Sequence, residues 1–431
     1  MDPITRVIAR EVLDSRGDPT VEVEVHCASG ARGMAIVPSG ASTGSAEARE
    51  LRDGDPARYG GRGVLRAVQN VHEVLGPAVV GWDPAQQAAL DRRLCELDGT
   101  EAKERLGANA VLGVSLAAAH AAAASRGVPL YAHLNQLWRG LLTQEPHPAD
   151  SAALVPRLPL PMTNMISGGL HAGGNLDFQD FLVLPSGAAD YAQALEWLVR
   201  LSRAVSQELT AAGYEGRLVA DEGGFGPRLP GNDAALEMLT RSMERAGLRP
   251  AHDMQIAIDV AATHFYRDGY YILAAEGHAR LTTDQMIDRL DDLTQRFPVA
   301  SIEDGLAEQD WSGWQRLTVR LGNRVHLVAD DLFATNPQRL REGIRRQAAN
   351  AVLVKFNQIG TLSETLELMR LALRAGYRRV VSARSGESVD TTMADLAVAT
   401  AAEHIKIGSV QRSERLAKYN RLLRIAEELA R

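Results

Sequence analysis

The chain has 431 residues, which exceeds the size at which one hydrophobic core keeps growing, so the sequence predicts two domains, one of them large. Apolar residues make up 45% of the chain and charged residues 23%, as is ordinary for a globular protein. The net charge of −7 and the lack of a basic block give no support to nucleic-acid binding. A small anionic substrate would therefore need local positive charge from lysine, arginine or a metal.

Apolar runs in the sequence stay shorter than the roughly 20 residues that span a bilayer, and the N-terminus lacks a signal-peptide pattern. We therefore expect a cytoplasmic protein with no membrane contact. Cys27 and Cys95 are the only cysteines, too few for a disulfide framework or a thiolate metal site.

The N-terminal part reads as a small α+β domain. Valines alternate with polar residues over residues 21–26, a period of two that predicts a strand with one wet face. Residues 106–125 are mostly Ala, Leu and Val and stop before Gly127, which predicts a strong helix with a clear end. The stretch 139–161 is irregular and rich in proline, so we place the boundary there, with an N-terminal domain over 1–139 and a C-terminal domain over 140–431.

Residues 38–44 combine glycines with three hydroxyl side chains. This pattern fits a flexible surface turn, and it also fits a mobile lid whose oxygen atoms reach a hard cation. The residues alone leave both interpretations open.

Beyond Pro161, short apolar runs recur between longer helical patterns, as in a largely parallel sheet built from strand–helix units. Seven of these runs end in polar or charged residues, at Asp221-Glu222, Asp259, Glu303-Asp304, Asp330-Asp331, Lys355, 382–385 and Lys406. In a (β/α)₈ barrel the carboxyl ends of all strands converge on one face, where catalytic residues lie. We therefore predict such a barrel in the C-terminal domain.

Asp259, Glu303 and Asp330 end successive strands of this predicted barrel. Three carboxylates that meet at one point repel one another unless a hard cation neutralises them, and magnesium is the natural choice. Any one of these acids could instead cap a helix.

Lys355 follows four apolar residues. Burial would lower the pKa of this lysine and suit it to act as a general base. A lysine whose ammonium reaches the rim of the barrel is the alternative.

The sequence resembles enolases along essentially its whole length. The motifs that carry the resemblance are Asp14-Ser15-Arg16-Gly17, residues 38–44, Asp221-Glu222-Gly223-Gly224, Ser301-Ile302-Glu303-Asp304, residues 355–360, Arg384-Ser385-Gly386-Glu387 and Arg412-Ser413-Glu414-Arg415. The resemblance implies an α/β fold in which a small N-terminal α+β domain precedes an enolase-type (β/α)₈ TIM barrel with some antiparallel pairing at its start. It also implies two magnesium ions per active site, a small anionic phosphorylated substrate, and a homodimer or homo-octamer.

The resemblance also implies roles for single residues. Asp259, Glu303 and Asp330 match the ligands of the tighter-bound magnesium, and Ser39 matches the lid serine that reaches the second ion. Lys355 matches the base that removes the proton from C2 of the substrate.

Further matches concern the substrate. Lys406 matches a residue that binds the substrate carboxylate, and Glu222 matches the group that assists departure of the C3 hydroxyl. His171 matches the histidine of a second lid. Arg384 and Ser385 match the grip on the phosphoryl group.

The chain departs from the enolase pattern at three places. Ala383 stands where the pattern has His, Asp180 stands where it has Glu, and Thr263-His264 stands where it has Ser-Glu or a similar pair. We assign Asp180 to the catalytic residues and Ala383 to the substrate-binding residues.

Three functions are compatible with the sequence. The changes at 180 and 383 favour a phosphoryl-modified substrate, as in the enolase-like synthases that convert carboxyphosphonoglycerate to carboxyphosphonoenolpyruvate in phosphonate antibiotic pathways. The alternatives are an ordinary glycolytic enolase and an inactive enolase-like binding protein. The retained charged residues argue against the last, because an inactive site has no reason to keep them in register.

Overall fold

The computed structural model describes residues 1–40, 44 and 46–431 of the chain. The predicted lid loop at 38–44 therefore falls partly outside the described residues. Contacts within the chain divide it into two compact units. The first unit comprises Met1–Leu158, Ala334–Leu340 and Val354–Ala402, and the second comprises Pro159–Phe333, Arg341–Leu353 and Glu403–Arg431.

The first part of the chain forms an antiparallel sheet followed by helices. The sheet has the order β1-β2-β3, with β1 (Ile4–Leu13), β2 (Pro19–Cys27) and β3 (Arg32–Ile36). The helices are α1 (Leu65–Asn70), α2 (Gly76–Val79), α3 (Gln87–Asp98), α4 (Ala108–Ser125) and α5 (Leu130–Gln144), with a π-helical turn, Val71–Leu75, between α1 and α2. The predicted strand at 21–26 and the predicted helix ending before Gly127 are both confirmed.

Helix α4 packs closely on β2 and β3 because glycines stand at the crossing. A Cβ atom on Gly33 would lie 2.1 Å from the carbonyl oxygen of Ala117, and one on Gly113 would lie 2.6 Å from a methyl carbon of Val23. Val23 is fully buried under the helix. Since backbone approaches backbone here, glycine is required for its lack of a side chain.

Helix α4 is the one described helix that is long and apolar enough to cross a membrane, and 83% of its 18-residue window is buried inside the protein. Such burial is what a core helix shows.

The remaining strands, in chain order, are β4 (Leu160–Ser167), β5 (Asp180–Leu184), β6 (Gln255–Asp259), β7 (Tyr266–Arg267), β8 (Tyr270–Leu273), β9 (Ala279–Leu281), β10 (Val299–Glu303), β11 (His326–Ala329), β12 (Ala351–Val354), β13 (Arg378–Ser382) and β14 (His404–Gly408). A closed barrel forms in the order β10-β11-β12-β13-β14-β4-β5-β6, and β7, β8 and β9 make a small separate sheet. The helices that accompany these strands are α6 (Tyr191–Ala211), α7 (Asn232–Arg245), α8 (Thr283–Arg296), α9 (Trp311–Leu321), α10 (Pro337–Arg346), α11 (Phe356–Ile359), α12 (Leu362–Arg374), α13 (Thr392–Ala399) and α14 (Ser413–Leu429).

The structure confirms the predicted small N-terminal domain and α/β barrel, with β5 antiparallel to both β4 and β6. The apolar run that ends at Asp221-Glu222, residues 218–220, is predicted to be a barrel strand, and this prediction is wrong. That segment makes only a single bridge, between Val219 and Phe225, because β5 already occupies the place beside β6. The predicted domain boundary between residues 139 and 140 lies within α5, and a division of the chain at that point stays a prediction.

We predict that Gly33→Ala lowers the free energy of unfolding by about 1–3 kcal/mol, because the added methyl group forces the backbone of α4 away from β3. Gly140→Ala is the matched control, since a Cβ at Gly140 in α5 meets nothing within 4 Å. This control should stabilise the protein by about 0.4–1 kcal/mol. Denaturant unfolding measures both, and equal effects of the two variants would contradict the close packing.

Candidate active site

Lys406, in the middle of β14, places its ammonium between two carboxylates. Its Nζ lies 2.7 Å from Asp259 Oδ2 and 2.7 Å from Glu303 Oε2. Asp259 and Glu303 are the last residues of β6 and β10, and they stand opposite each other in the parallel pairing of these strands. The register of the barrel therefore brings the two carboxylates together.

Burial by itself lowers the pKa of Lys406, which is 5% exposed. Asp259 and Glu303 act in the opposite direction and, with two further carboxylates, hold the pKa of Lys406 well above its ordinary value. Lys406 therefore stays charged. A permanently charged lysine suits anion binding better than proton abstraction.

A second buried pair lies beside this cluster in the same unit. His171 sits in a 3₁₀ turn, Gly169–Ala172, and its Nδ1 is 2.8 Å from Asp180 Oδ2. Burial lowers the pKa of His171, but Asp180 and Glu222 outweigh burial and raise the pKa to about 9. The three residues each offer an atom within 4.8 Å of the others.

Three polar residues that support these acids were not found from the sequence. Asn164 and Ser167 of β4 donate hydrogen bonds to Asp180 Oδ1, and Gln179 Nε2 donates to Asp259 Oδ2 at 3.2 Å. The available signal was the presence of Asn and Ser in a strand that is buried along most of its length.

Asp330 lies in another acidic group. One oxygen of each of Asp304, Asp330 and Asp331 lies within 4.8 Å of the others. Asp304, in a left-handed conformation with φ of 42°, accepts hydrogen bonds from the backbone N–H of Asp330 at 3.0 Å and of Asp331 at 2.9 Å. Burial, with the neighbouring acids, holds the pKa of Asp304 well above its ordinary value. Asp304 thus fixes the turn that carries Asp330.

The donor chemistry of the second unit fits a hard divalent cation. Four carboxylates, those of Asp259, Glu303, Asp180 and Glu222, act on the pKa of Lys406, and three of them also act on the pKa of His171. An excess of buried carboxylates is unfavourable unless a cation compensates it, and oxygen donors are the ligands that magnesium prefers.

In the first unit, Arg384 forms a buried ion pair. Its Nη1 lies 2.9 Å from Glu47 Oε2 and donates to Asn357 Oδ1 at 2.9 Å. Both charged side chains are 4% exposed. Ala383, which precedes Arg384, is also buried and places only a methyl group there. Glu47 and Asn357 were not found from the sequence.

Ser39 and Lys355 also belong to the first unit. Ser39 is buried, and its hydroxyl donates to Glu50 Oε2 at 3.0 Å and accepts from Arg52 Nη2 at 2.8 Å. A role for Ser39 as a metal ligand would require this contact with Glu50 to exchange. Lys355 follows β12 and is only half-buried, and a small cavity is lined by Lys355, Asn357 and Arg384 among others.

Two family descriptions match the chain. "Enolase, N-terminal domain" matches residues 4–134, and "Enolase, C-terminal TIM barrel domain" matches residues 156–431. The chain belongs to the enolase family. It is therefore a hydro-lyase of the enolase type. Enolases generally use magnesium, act on a small phosphorylated substrate and typically form oligomers, and the acidic groups described above are compatible with magnesium.

We predict that His171 stays protonated well above neutral pH in the magnesium-free protein, because Asp180 and Glu222 stabilise its charged form. Asp180→Asn should lower the pKa of His171, because it removes a negative charge that opposes the effect of burial on this pKa. NMR titration of the imidazole resonances measures this. His133 serves as a reference in the same sample, because burial lowers its pKa to about 4. An unchanged pKa of His171 in the variant would contradict the assignment.

The same pair sets a pH dependence of stability. The pKa of His171 is raised on folding from an ordinary value of about 6.5, so its contribution is complete below that pH. The contribution is lost as pH rises through about 9.

Proposed function

We propose that this enolase-type hydro-lyase dehydrates a phosphoryl-modified analogue of 2-phosphoglycerate, converting carboxyphosphonoglycerate to carboxyphosphonoenolpyruvate. One observation carries the proposal: a buried methyl group, that of Ala383, stands immediately before Arg384, where the enolase pattern has an imidazole. The smaller side chain leaves room for a larger phosphoryl end. The guanidinium fork of Arg384 suits a second anionic group.

In this proposal Lys355 removes the C2 proton. The electron pair of the C2–H bond forms the C2–C3 double bond, and the hydroxyl leaves C3 as water with a proton from Glu222. Lys406 binds the substrate carboxylate, and Arg384 and Ser385 hold the phosphoryl end. His171 is the histidine of a second lid, and Asp180 is a further catalytic carboxylate. Proton removal next to a carboxylate creates a further negative charge, and a fixed lysine ammonium stabilises that charge.

We further propose two magnesium ions, one held by Asp259, Glu303 and Asp330 and the other by Ser39. When bound, such ions would stabilise the negative charge that develops on the substrate carboxylate. The proposal also includes a cytoplasmic location and a homodimer or homo-octamer, as the family resemblance implies.

Ordinary glycolytic enolase is the second candidate function. The retention of Lys355, Lys406 and Glu222 favours it, because both reactions need the same base, carboxylate partner and acid. The two substrates therefore differ only at the phosphoryl end, and Ala383 and Asp180 are the site residues that bear on the choice between them.

We predict that Lys355→Ala abolishes exchange of the substrate C2 proton with solvent deuterium, followed by mass spectrometry or proton NMR. Lys355→Arg is the matched control for charge, because a guanidinium keeps the positive charge but does not lose its proton in proteins. Exchange that persists in the Arg variant would show that Lys355 supplies charge and that another group takes the proton.

The substrate is tested by kcat/KM for 2-phosphoglycerate and for the carboxyphosphono analogue. We expect the parent protein to have a higher kcat/KM for the analogue than for 2-phosphoglycerate. With 2-phosphoglycerate, kcat/KM of the parent should be about 10²- to 10⁴-fold lower than that of the Ala383→His, Asp180→Glu double variant, which is the usual contribution of a positioned acid or base. The two single variants separate the contribution of each position. Efficient turnover of 2-phosphoglycerate by the parent, without preference for the analogue, would leave the glycolytic function standing.

A further inference from the structure

Arg16 contacts both serines that the family resemblance places at the phosphoryl end and the lid. It lies in the turn between β1 and β2. Its Nη1 donates to Ser385 Oγ at 3.2 Å, and its Nη2 donates to the backbone oxygen of Ser39 at 3.3 Å. All of these residues belong to the first unit. One guanidinium therefore joins two segments that are far apart in sequence.

The two segments are themselves held in register. Ser39 and Gly386 exchange two backbone hydrogen bonds, of 2.8 and 2.9 Å. A Cβ atom on Gly386 would lie 2.6 Å from Arg16 Nη2 and 2.7 Å from the Ser39 oxygen, so only glycine admits the guanidinium at this place. The backbone N–H of Ser15 also donates to the Glu387 oxygen at 2.7 Å. The turn is thus docked on the segment that carries Ser385.

Asp14 fixes the orientation of Arg16. Its Oδ2 accepts from Arg16 Nη2 at 3.2 Å, and its Oδ1 accepts from the backbone N–H of Arg16 at 2.8 Å and of Asp18 at 3.0 Å. The side chain of Arg16 is 15% exposed. A guanidinium held in this way loses little further freedom when an anion binds beside it.

One N–H group of Arg16 makes no hydrogen bond to the described part of the chain. Its Nε is buried and has no acceptor among the residues that the structure describes. Leaving a buried donor unsatisfied is unfavourable, so stability alone does not account for an arginine at this position.

We propose that Arg16 is a positioning residue for the phosphoryl end of the substrate, acting through Ser385. An N–H that donates to Ser385 Oγ occupies a lone pair of that hydroxyl, so the hydroxyl meets an anionic oxygen as a donor rather than as an acceptor. The inference rests on the proposed role of Ser385, and it holds for either candidate substrate because both carry a phosphoryl oxygen.

The test measures binding of inorganic phosphate by calorimetry in the magnesium-saturated protein, together with KM and kcat. We expect Arg16→Met to weaken phosphate binding and to raise KM by about 10-fold or more, the range expected for a hydrogen bond to a charged group, with a smaller change in kcat. Arg16→Lys keeps the charge without the planar fork, so it should restore binding only in part.

Arg374→Met is the matched control. Arg374 is 18% exposed, and it pairs with Asp150 and with backbone oxygens of Leu142 and Glu145. The Arg374→Met variant should have a lower unfolding midpoint and an unchanged KM. If Arg16→Met behaves in the same way, Arg16 is merely structural and the inference is wrong.

A double-mutant cycle of Arg16→Met with Ser385→Ala checks the route of action. Strongly non-additive effects on phosphate binding are expected if Arg16 acts through Ser385, and additive effects would overturn that route. If Arg16→Met does not fold, the cycle with Arg16→Lys decides. Failure of the parent protein to bind phosphate would instead refute the proposed phosphoryl end, whereas equal binding by the parent and by Arg16→Met refutes only the role of Arg16.

Discussion

The second unit depends on one interaction, in which the ammonium of Lys406 pairs with the carboxylates of both Asp259 and Glu303. Three charges buried together are tolerated only when each has a partner at hydrogen-bond distance, and here both distances are 2.7 Å. The arrangement follows from strand register, since the two acids end neighbouring parallel strands. A shift of one residue in either strand would turn one carboxylate away from Lys406 and leave the charge of that carboxylate uncompensated.

In the first unit each of two arginines pairs with one carboxylate, whereas in the second unit one lysine pairs with two carboxylates. Arg384 is neutralised by Glu47, and Arg16 is oriented by Asp14, so each guanidinium is fixed before any ligand arrives. Fixed donors need little reorganisation when an anion binds, which is the physical advantage of such pairs. The glycine at 386 is part of this arrangement, because any side chain there would displace the guanidinium of Arg16.

Membership of the enolase family accounts for the scaffold and for the class of reaction, and the proposed choice of substrate rests on two positions. Ala383 and Asp180 are smaller than the residues of the family pattern, and both are buried. Asn164 and Ser167 both donate hydrogen bonds to the shorter acid at 180. A fold can therefore stay constant while the shape and charge at a site change.

The sequence by itself determined the barrel and most of the charged residues, because apolar runs that end in acids and lysines mark the carboxyl ends of buried strands. It could not determine which segment occupies the place beside β6: residues 218–220 read as a strand, yet β5 is the strand that pairs there. The supporting roles of Gln179, Asp304 and Arg16 were also decided only by the tertiary structure. Arg16 and Asp304 stand in motifs that the sequence shows, but those motifs do not reveal which distant groups the two side chains contact. The partners Ser39 and Ser385 of Arg16, Asp259 of Gln179 and Asp330 of Asp304 lie between 23 and 369 residues away. A hydrogen bond between such distant residues depends on strand register and chain crossing, which no local pattern encodes.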